Sequence, residues 1–149
     1  MGEVVTRSPR SNVRRVVFAA LLLMVPITWG FDGAPASAVV ACRGEPATIV
    51  GTGGDDELTG TAGADVIAGL GGDDNITSLH GSDLVCAGSG NDIVKSGPGS
   101  DRIVGQGGSD VLDGSGGPDF MRGGVGRDTL DGGEGRDRCR GETTVNCED

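Results

Sequence analysis

Aromatic residues and histidine are almost absent from this chain of 149 residues. It has three phenylalanines, one tryptophan, no tyrosine and one histidine, and Phe120 is the only large aromatic residue beyond residue 40. A core built around aromatic side chains is therefore excluded for most of the chain. His80 is the only histidine available for a catalytic triad, and neither an HExxH nor a GxSxG motif occurs. These absences argue against an enzyme.

A long uninterrupted hydrophobic run is also missing. The longest apolar stretch, residues 16–27, contains Pro26 and is shorter than the roughly 20 residues that a helix needs to span a bilayer. It follows a segment with four arginines and precedes the small-residue sequence Ala36-Ser37-Ala38. This order predicts a secretory signal peptide at residues 1–38 and a secreted, extracellular protein. A membrane anchor is the first alternative, and cleavage and lipid anchoring at Cys42 is the second.

Basic residues are few once the predicted signal peptide is removed. The remaining chain has 8 lysines and arginines and 20 acidic residues, a net charge of 8 − 20 = −12. Such a charge disfavours nucleic acid as a partner. It favours either a solvated acidic surface or the binding of cations.

Glycine is abundant, with 30 residues, and from Gly51 to Arg140 it follows a period of nine. Ten consecutive nonapeptides share three columns. The fourth position is always glycine: Gly54, Gly63, Gly72, Gly81, Gly90, Gly99, Gly108, Gly117, Gly126 and Gly135. The sixth is always aspartate: Asp56, Asp65, Asp74, Asp83, Asp92, Asp101, Asp110, Asp119, Asp128 and Asp137. The eighth is always apolar: Leu58, Ile67, Ile76, Val85, Val94, Ile103, Leu112, Met121, Leu130 and Cys139.

These columns match the pattern GGxGxDxUx, in which U is a large apolar residue. The chain therefore resembles the RTX, or haemolysin-type, calcium-binding nonapeptide repeat proteins, in a small secreted bacterial form. The repeats account for 90 of the 149 residues. The resemblance implies an all-β fold, a right-handed parallel β-roll of about five coils, with calcium ions in its turns.

The residue types agree with that fold on physical grounds. A nonapeptide divides into a turn of about six residues and a strand of about three, and so short a strand buries only its middle side chain, at position eight. Glycine at position four supplies the positive φ that a tight turn needs. Two nonapeptides form one coil, so residues 18 apart in sequence stack.

Stacking places the aspartates in two files, one along each edge of the roll. The first file contains Asp56, Asp74, Asp92, Asp110 and Asp128, and the second contains Asp65, Asp83, Asp101, Asp119 and Asp137. Two carboxylates about 5 Å apart repel by roughly 3 kcal/mol at an effective dielectric constant of about 20, and a divalent cation between them removes that repulsion. Calcium, which accepts many carboxylate and carbonyl oxygens in loose geometry, fits better than magnesium or zinc. We expect several ions, at most about eight.

Some turns depart from the pattern, and we expect weaker calcium sites there. Position two is not glycine in six repeats, which have Thr52, Thr61, Leu70, Leu79, Gln106 and Ser115. Position one is not glycine in three, which have Ser78, Ala87 and Ser96. At position five, Arg127 and Arg136 should weaken the last sites, whereas Asp55 and Asp73 should strengthen early ones.

The two ends of a solenoid need caps. Residues 39–50 are predicted to form the N-terminal cap, residues 51–140 the β-roll and residues 141–149 the C-terminal cap. Four cysteines in an exported protein predict two disulfides. Cys139 and Cys147 lie close in sequence, which leaves Cys42 for Cys86 if the N-terminal tail folds back; free thiols are the alternative.

The predicted function is a secreted calcium-binding repeat module whose folding is driven by calcium. The alternative is a cell-surface or matrix protein that uses the acidic roll for adhesion or self-association. Outward side chains at position seven, among them Ile93, Val111 and Phe120, have two explanations: β-propensity, or an apolar strip for a partner or another roll. His80 is interpreted as an ordinary turn residue. The expected partners are calcium ions, with no nucleic acid and no membrane span in the mature form.

Overall fold

The computed structural model describes residues 14–16 and 40–148 of the chain. All regular elements in these residues are β-strands, numbered β1 to β15 along the chain. The predicted signal peptide lies outside the described residues except for β1, which pairs in parallel with the start of the repeat region. Nothing in the described part of the chain forms a helix long and apolar enough to cross a membrane.

Two parallel sheets form the body of the molecule. The first sheet has the strand order β1 (Arg14–Val16), β5 (Asp56–Thr59), β7 (Asn75–Thr77), β9 (Ile93–Lys95), β11 (Val111–Asp113), β13 (Thr129–Asp131) and β15 (Thr143–Val145). The second has the order β4 (Ile49–Val50), β6 (Val66–Gly71), β8 (Leu84–Ser89), β10 (Arg102–Gly107), β12 (Phe120–Val125) and β14 (Arg138–Arg140). A separate antiparallel pair is formed by β2 (Ala41–Cys42) and β3 (Glu45–Pro46).

The register of the sheets follows from the nine-residue period. Leu58 lies opposite Ile76 in the first sheet, and Ile67 lies opposite Val85 in the second, so each coil advances by 18 residues. The chain alternates between the two sheets and forms a parallel β-solenoid of about five coils. The predicted all-β roll is confirmed.

The core is a thin double column of aliphatic side chains between the sheets. The position-eight residues of the first nine repeats are at most 1% exposed, and Ile49 extends the column one repeat upstream. Cys139 and Cys147 pack against its far end. Each buried aliphatic side chain contributes roughly 1.5–3 kcal/mol, and each touches few others because the core is only two columns wide. The stability of the roll therefore depends strongly on its turns.

Close stacking explains the glycine at position four. A methyl group on Gly81 would lie 2.6 Å from the carbonyl oxygen of Gly63 in the preceding coil, and the φ of Gly81 is 139°. Seven of the ten position-four glycines have positive φ; Gly54, Gly63 and Gly99 do not. At Gly99 the constraint is space, because a methyl group there would overlap the carbonyl oxygen of Gly81.

Four of the six non-glycine residues at position two keep the conformation that glycine has there. Leu70, Leu79, Gln106 and Ser115 have φ values of 78°, 78°, 84° and 69°. Each pays about 1–2 kcal/mol for the left-handed conformation, because its Cβ approaches the following carbonyl oxygen. These turns are therefore strained but not rearranged.

Disulfides fasten both ends of the solenoid. Cys42 in β2 is bonded to Cys86 in β8, so the β2–β3 hairpin lies on the outer surface of the second sheet. Cys139 in β14 is bonded to Cys147 after β15. Ala68 and Cys86, which point outward at position nine, are buried at 3% and 6% exposure where the hairpin covers them.

Candidate metal centre

All ten position-six aspartates are buried along the edges of the roll, with at most 6% of each residue exposed. Within a file, one carboxylate oxygen accepts a hydrogen bond from the backbone N–H of the aspartate 18 residues earlier. The Asp92 N–H donates to Asp110 Oδ1 at 3.0 Å, and the Asp101 N–H donates to Asp119 Oδ1 at 2.8 Å. Eight such bonds connect the files from end to end.

The second carboxylate oxygen of most of these aspartates has no partner. No protein group donates to the buried Oδ2 atoms of Asp74, Asp83, Asp92, Asp101, Asp110, Asp119 and Asp137. A buried acceptor without a donor costs about 1–3 kcal/mol, and more when it is charged. Seven such atoms in two rows form a regular feature of the fold, and each requires an explanation.

Burial raises the pKa values of five of these carboxyl groups. The pKa rises to about 7 for Asp74 and Asp119 and to about 6 for Asp110, and it also rises for Asp83 and Asp92. Loss of contact with water is the main cause, and nearby aspartate carboxylates add to it. The backbone N–H bonds oppose the rise because they stabilise the charged form. The files are therefore poorly compensated sites of negative charge.

The glycine at position one lets the unpartnered oxygen and a carbonyl oxygen of the next coil lie close to the backbone. A methyl group on Gly114 would lie 2.5 Å from Asp119 Oδ2 and 2.8 Å from the carbonyl oxygen of Gly132 in the next coil. Gly105 has the same relation to Asp110 Oδ2 and the Gly123 carbonyl oxygen. A carboxylate oxygen and a carbonyl oxygen thus lie close together, and a larger residue at position one would collide with both unless the turn shifts.

Three repeats have a side chain at position one instead of glycine. The Ser78 hydroxyl donates to the carbonyl oxygen of Ser96 at 2.8 Å, and the Ser96 hydroxyl donates to that of Gly114 at 2.9 Å. Both serines are fully buried, and so is Ala87 in the repeat between them. The position-one carbonyl oxygens of these coils are therefore partly occupied by protein donors.

In the first two repeats a threonine donates to Oδ2 of the aspartate, while the buried Oδ1 of Asp56 has no donor. Asp56 Oδ2 accepts from the Thr52 hydroxyl at 2.9 Å and from its N–H, and Asp65 Oδ2 accepts from the Thr61 hydroxyl at 2.9 Å and its N–H at 2.7 Å. Neither threonine has positive φ. Sequence reasoning treated both residues only as departures from glycine. A threonine four positions before the aspartate is the signal that was missed; Ser115, at the same distance before Asp119, bonds Asp113 instead.

The position-five residues along the first edge form a ladder of their own at the surface. Asp55 Oδ1 accepts from the Asp73 N–H at 2.9 Å, and Asp73 Oδ1 accepts from the Asn91 N–H at 2.7 Å. Asn91 and Ser109 continue the same arrangement to Arg127. Asp55 and Asp73 are thus exposed beside the first file, which leaves their predicted effect on calcium binding open.

The donor set fits a hard cation with oxygen ligands. Among residues 40–148 no group of three or more histidine, cysteine, aspartate or glutamate side chains converges, so an ion would take much of its coordination from backbone carbonyls. His80 is exposed in a turn and supplies no nitrogen ligand to the files. Unpartnered carboxylate oxygens beside open carbonyl oxygens suit calcium, which accepts such ligands in irregular geometry.

One comparison with known proteins identifies the repeats. The model of the RTX calcium-binding nonapeptide repeat matches residues 50–85, 87–121 and 113–143, which is more than half of the chain. No curated protein and no solved structure matches the chain.

Proposed function

Because the chain belongs to the RTX calcium-binding nonapeptide repeat family, we propose that its two aspartate files bind calcium between neighbouring coils and that this binding drives folding. The ligands would be the ten position-six aspartates together with carbonyl oxygens of the glycine-rich turns. The observation that carries the proposal is the row of buried Oδ2 atoms without donors. Bound calcium would supply positive charge that neutralises the files and lets carboxylates stay ionised inside the fold.

The turns differ in how well they would hold an ion. Four gaps in each file set an upper limit of about eight ions. The best candidates are turns with glycine at position one and an unpartnered Oδ2, such as those of Asp110 and Asp119. Weaker binding is expected beside Ser78 and Ser96, whose hydroxyls already bond carbonyl oxygens, and around Asp56, where Thr52 already donates to Oδ2.

The proposed location is outside the cell, with a structural rather than catalytic role. Disulfides form and persist in oxidising compartments such as the outside of the cell, and this roll has two of them. The bond from Cys42 to Cys86 favours a secreted form over lipid attachment, because it uses the Cys42 thiol. The predicted signal peptide at residues 1–38 would provide the export route.

A calcium titration by calorimetry, with circular dichroism on the same samples, tests the proposal. Residues 39–149 with both disulfides intact should bind several calcium ions and gain β-sheet signal as they bind. Magnesium at equal concentration is the control, because it demands a tighter octahedron. A β-sheet signal that is complete in excess chelator and unchanged by calcium would overturn the proposed coupling of binding to folding.

A further inference from the structure

The two outer faces of the roll carry opposite charge. On the second sheet, Arg102, Phe120 and Arg138 lie side by side at position seven, and Arg122 and Arg140 lie side by side at position nine. We call these five residues the basic face. They stand on the last three coils of a chain that is otherwise strongly acidic.

The arginines of the basic face lack carboxylate partners. The only ion pair among the residues that the structure describes joins Lys95 to Asp113, on the other sheet. Within the basic face, Arg102 lies over the Phe120 ring at 5.5 Å from its centroid, which holds both side chains in place. The arginines on adjacent strands of the basic face repel each other, and an acidic partner would reduce that repulsion.

The first sheet presents a complementary surface. Ile93 and Val111 lie next to each other at position seven and are 54% and 48% exposed. Glu57 lies on the same face, and at position nine Asp113 lies between Asp131 and Lys95, with which Asp113 forms an ion pair. We call Ile93, Val111, Glu57, Asp113 and Asp131 the acidic face; with Lys95 beside them the net charge there is 1 − 3 = −2. The acidic face combines exposed apolar area with net negative charge. Its negative charge would attract the positive charge of the basic face.

The shape of the second sheet also permits contact. Leu84, Arg102, Phe120 and Arg138 border an open cavity of about 720 Å³, which extends to the edge of the roll at Asp101, Asp119 and Asp137. The β2–β3 hairpin covers the early coils of this sheet, beside Cys86, and leaves the late coils open. Aliphatic side chains such as Ile93 and Val111 of another copy would have apolar surface to contact there.

We propose that the acidic face of one copy binds the basic face of a second copy. The two surfaces are different, so the contact is heterologous, and each added copy still offers one free face of each kind. The products would therefore be open chains rather than closed dimers. Three strands of the acidic face, each three residues long, measure about 14 Å by 10 Å, or about 140 Å² per partner, well below the roughly 800 Å² of a stable interface. The association should be weak and sensitive to salt.

Analytical ultracentrifugation of residues 39–149 in saturating calcium tests the proposal. The average mass of the wild type should rise steadily with concentration at about 0.1 M salt. It should return to that of one chain at about 1 M salt, where the screening length falls from about 10 Å to about 3 Å. Circular dichroism on the same samples shows that the roll is folded, so a failure of calcium-driven folding is seen separately.

Two variants separate the faces. R122Q/R140Q removes charge from the basic face, and V111K/T129K places positive charge on the acidic face; all four side chains are exposed. Each variant alone should lose self-association. Mixing them should give a 1:1 complex that grows no further, because one intact face remains on each. R43Q removes an exposed charge from the β2–β3 hairpin, outside both faces and outside the cavity, and should associate like the wild type.

Three outcomes would overturn the proposal. The first is a wild type that stays monomeric up to about millimolar concentration, the weakest range of specific association. The second is a control variant that loses association as fully as R122Q/R140Q, since that would indicate a general charge effect. The third is a pair of variants that fails to form the 1:1 complex, because an interface between unlike faces requires it.

Discussion

Replacing Asp110 by asparagine should stabilise the metal-free roll while weakening its response to calcium. Asp110 Oδ1 accepts from the Asp92 N–H, and asparagine keeps that acceptor. Oδ2 accepts from no donor. An amide NH₂ group in its place could donate to the Gly123 carbonyl oxygen, since both oxygens lie beside Gly105. The substitution therefore removes a buried charge and turns an unpartnered acceptor into a donor.

The size of the effect follows from the pKa of Asp110. Burial and the carboxylates of Asp92 and Asp128 raise it from 3.8 to about 6. Each pKa unit corresponds to about 1.4 kcal/mol, so the ionised side chain costs up to about 3 kcal/mol at pH 8. Because water at the edge of the roll screens part of this cost, we expect Asp110→Asn to gain about 1–3 kcal/mol in chelator.

Thermal unfolding measured by circular dichroism in excess chelator at pH 8 tests this prediction. A gain of 1 kcal/mol raises the Tm of a domain of this size by about 4–8 °C. The control is Glu134→Gln, which removes one exposed charge from a turn on the other edge of the roll and should leave the Tm almost unchanged. In calcium the order should reverse, with Asp110→Asn less stable than the wild type. A lower Tm for Asp110→Asn in chelator would refute the argument that the files are sites of uncompensated charge.

Three further predictions follow from the same structure. The pKa values of Asp74, Asp110 and Asp119 in the folded state are raised to about 6 to 7, so protonation of these carboxyl groups stabilises the folded protein. This stabilisation is complete below about pH 4 and is lost progressively as the pH rises through 6 to 7. In chelator, circular dichroism should therefore show more folded protein at pH 5 than at pH 8, and the opposite trend would contradict the assignment. Thr52→Val should lower the free energy of unfolding by about 1–3 kcal/mol with or without calcium, because Asp56 Oδ2 loses the hydrogen bond from the hydroxyl. Thr52→Ser keeps a hydroxyl and should lower it by less. Equal losses for the two variants in urea unfolding would contradict the role of the Thr52 hydroxyl. Gly99→Ala should destabilise the roll by more than about 3 kcal/mol, because its methyl group would overlap the Gly81 carbonyl, whereas Gly107→Ala meets no atom within 4 Å and should be nearly neutral in the same assay.

The two most regular features of the molecule could be predicted from the sequence because the nine-residue period and the resemblance to the nonapeptide repeat proteins agree. An apolar eighth residue in every repeat predicts that Leu58 and Ile67 are buried, and the resemblance implies that they lie on opposite strands of a narrow roll. The same period stacks Asp92 on Asp110 whatever lies between them. Repetition converts a local pattern into a global one, so no long-range information is needed.

The turns that break the pattern were harder to interpret. Leu70 and Thr52 are both non-glycine residues at position two, yet Leu70 keeps the left-handed conformation and Thr52 does not. The difference comes from the Thr52 hydroxyl, which bonds Asp56 and offers the turn another geometry. A rule that counts departures from glycine cannot separate a strained turn from a capped one.

The sequence by itself determined the period, the parallel stacking and the two aspartate files, because each is a consequence of a repeat in register. The tertiary structure decided which atoms are left without partners and which surfaces are left uncovered. Oδ1 of Asp119 is used by the backbone of the preceding coil and Oδ2 is not, a distinction made by the pitch of the solenoid. The disulfide from Cys42 to Cys86 holds the β2–β3 hairpin over the early coils of the second sheet, and Phe120 on a later coil stays exposed. These outcomes depend on contacts between residues far apart in sequence, which a local repeat pattern does not encode.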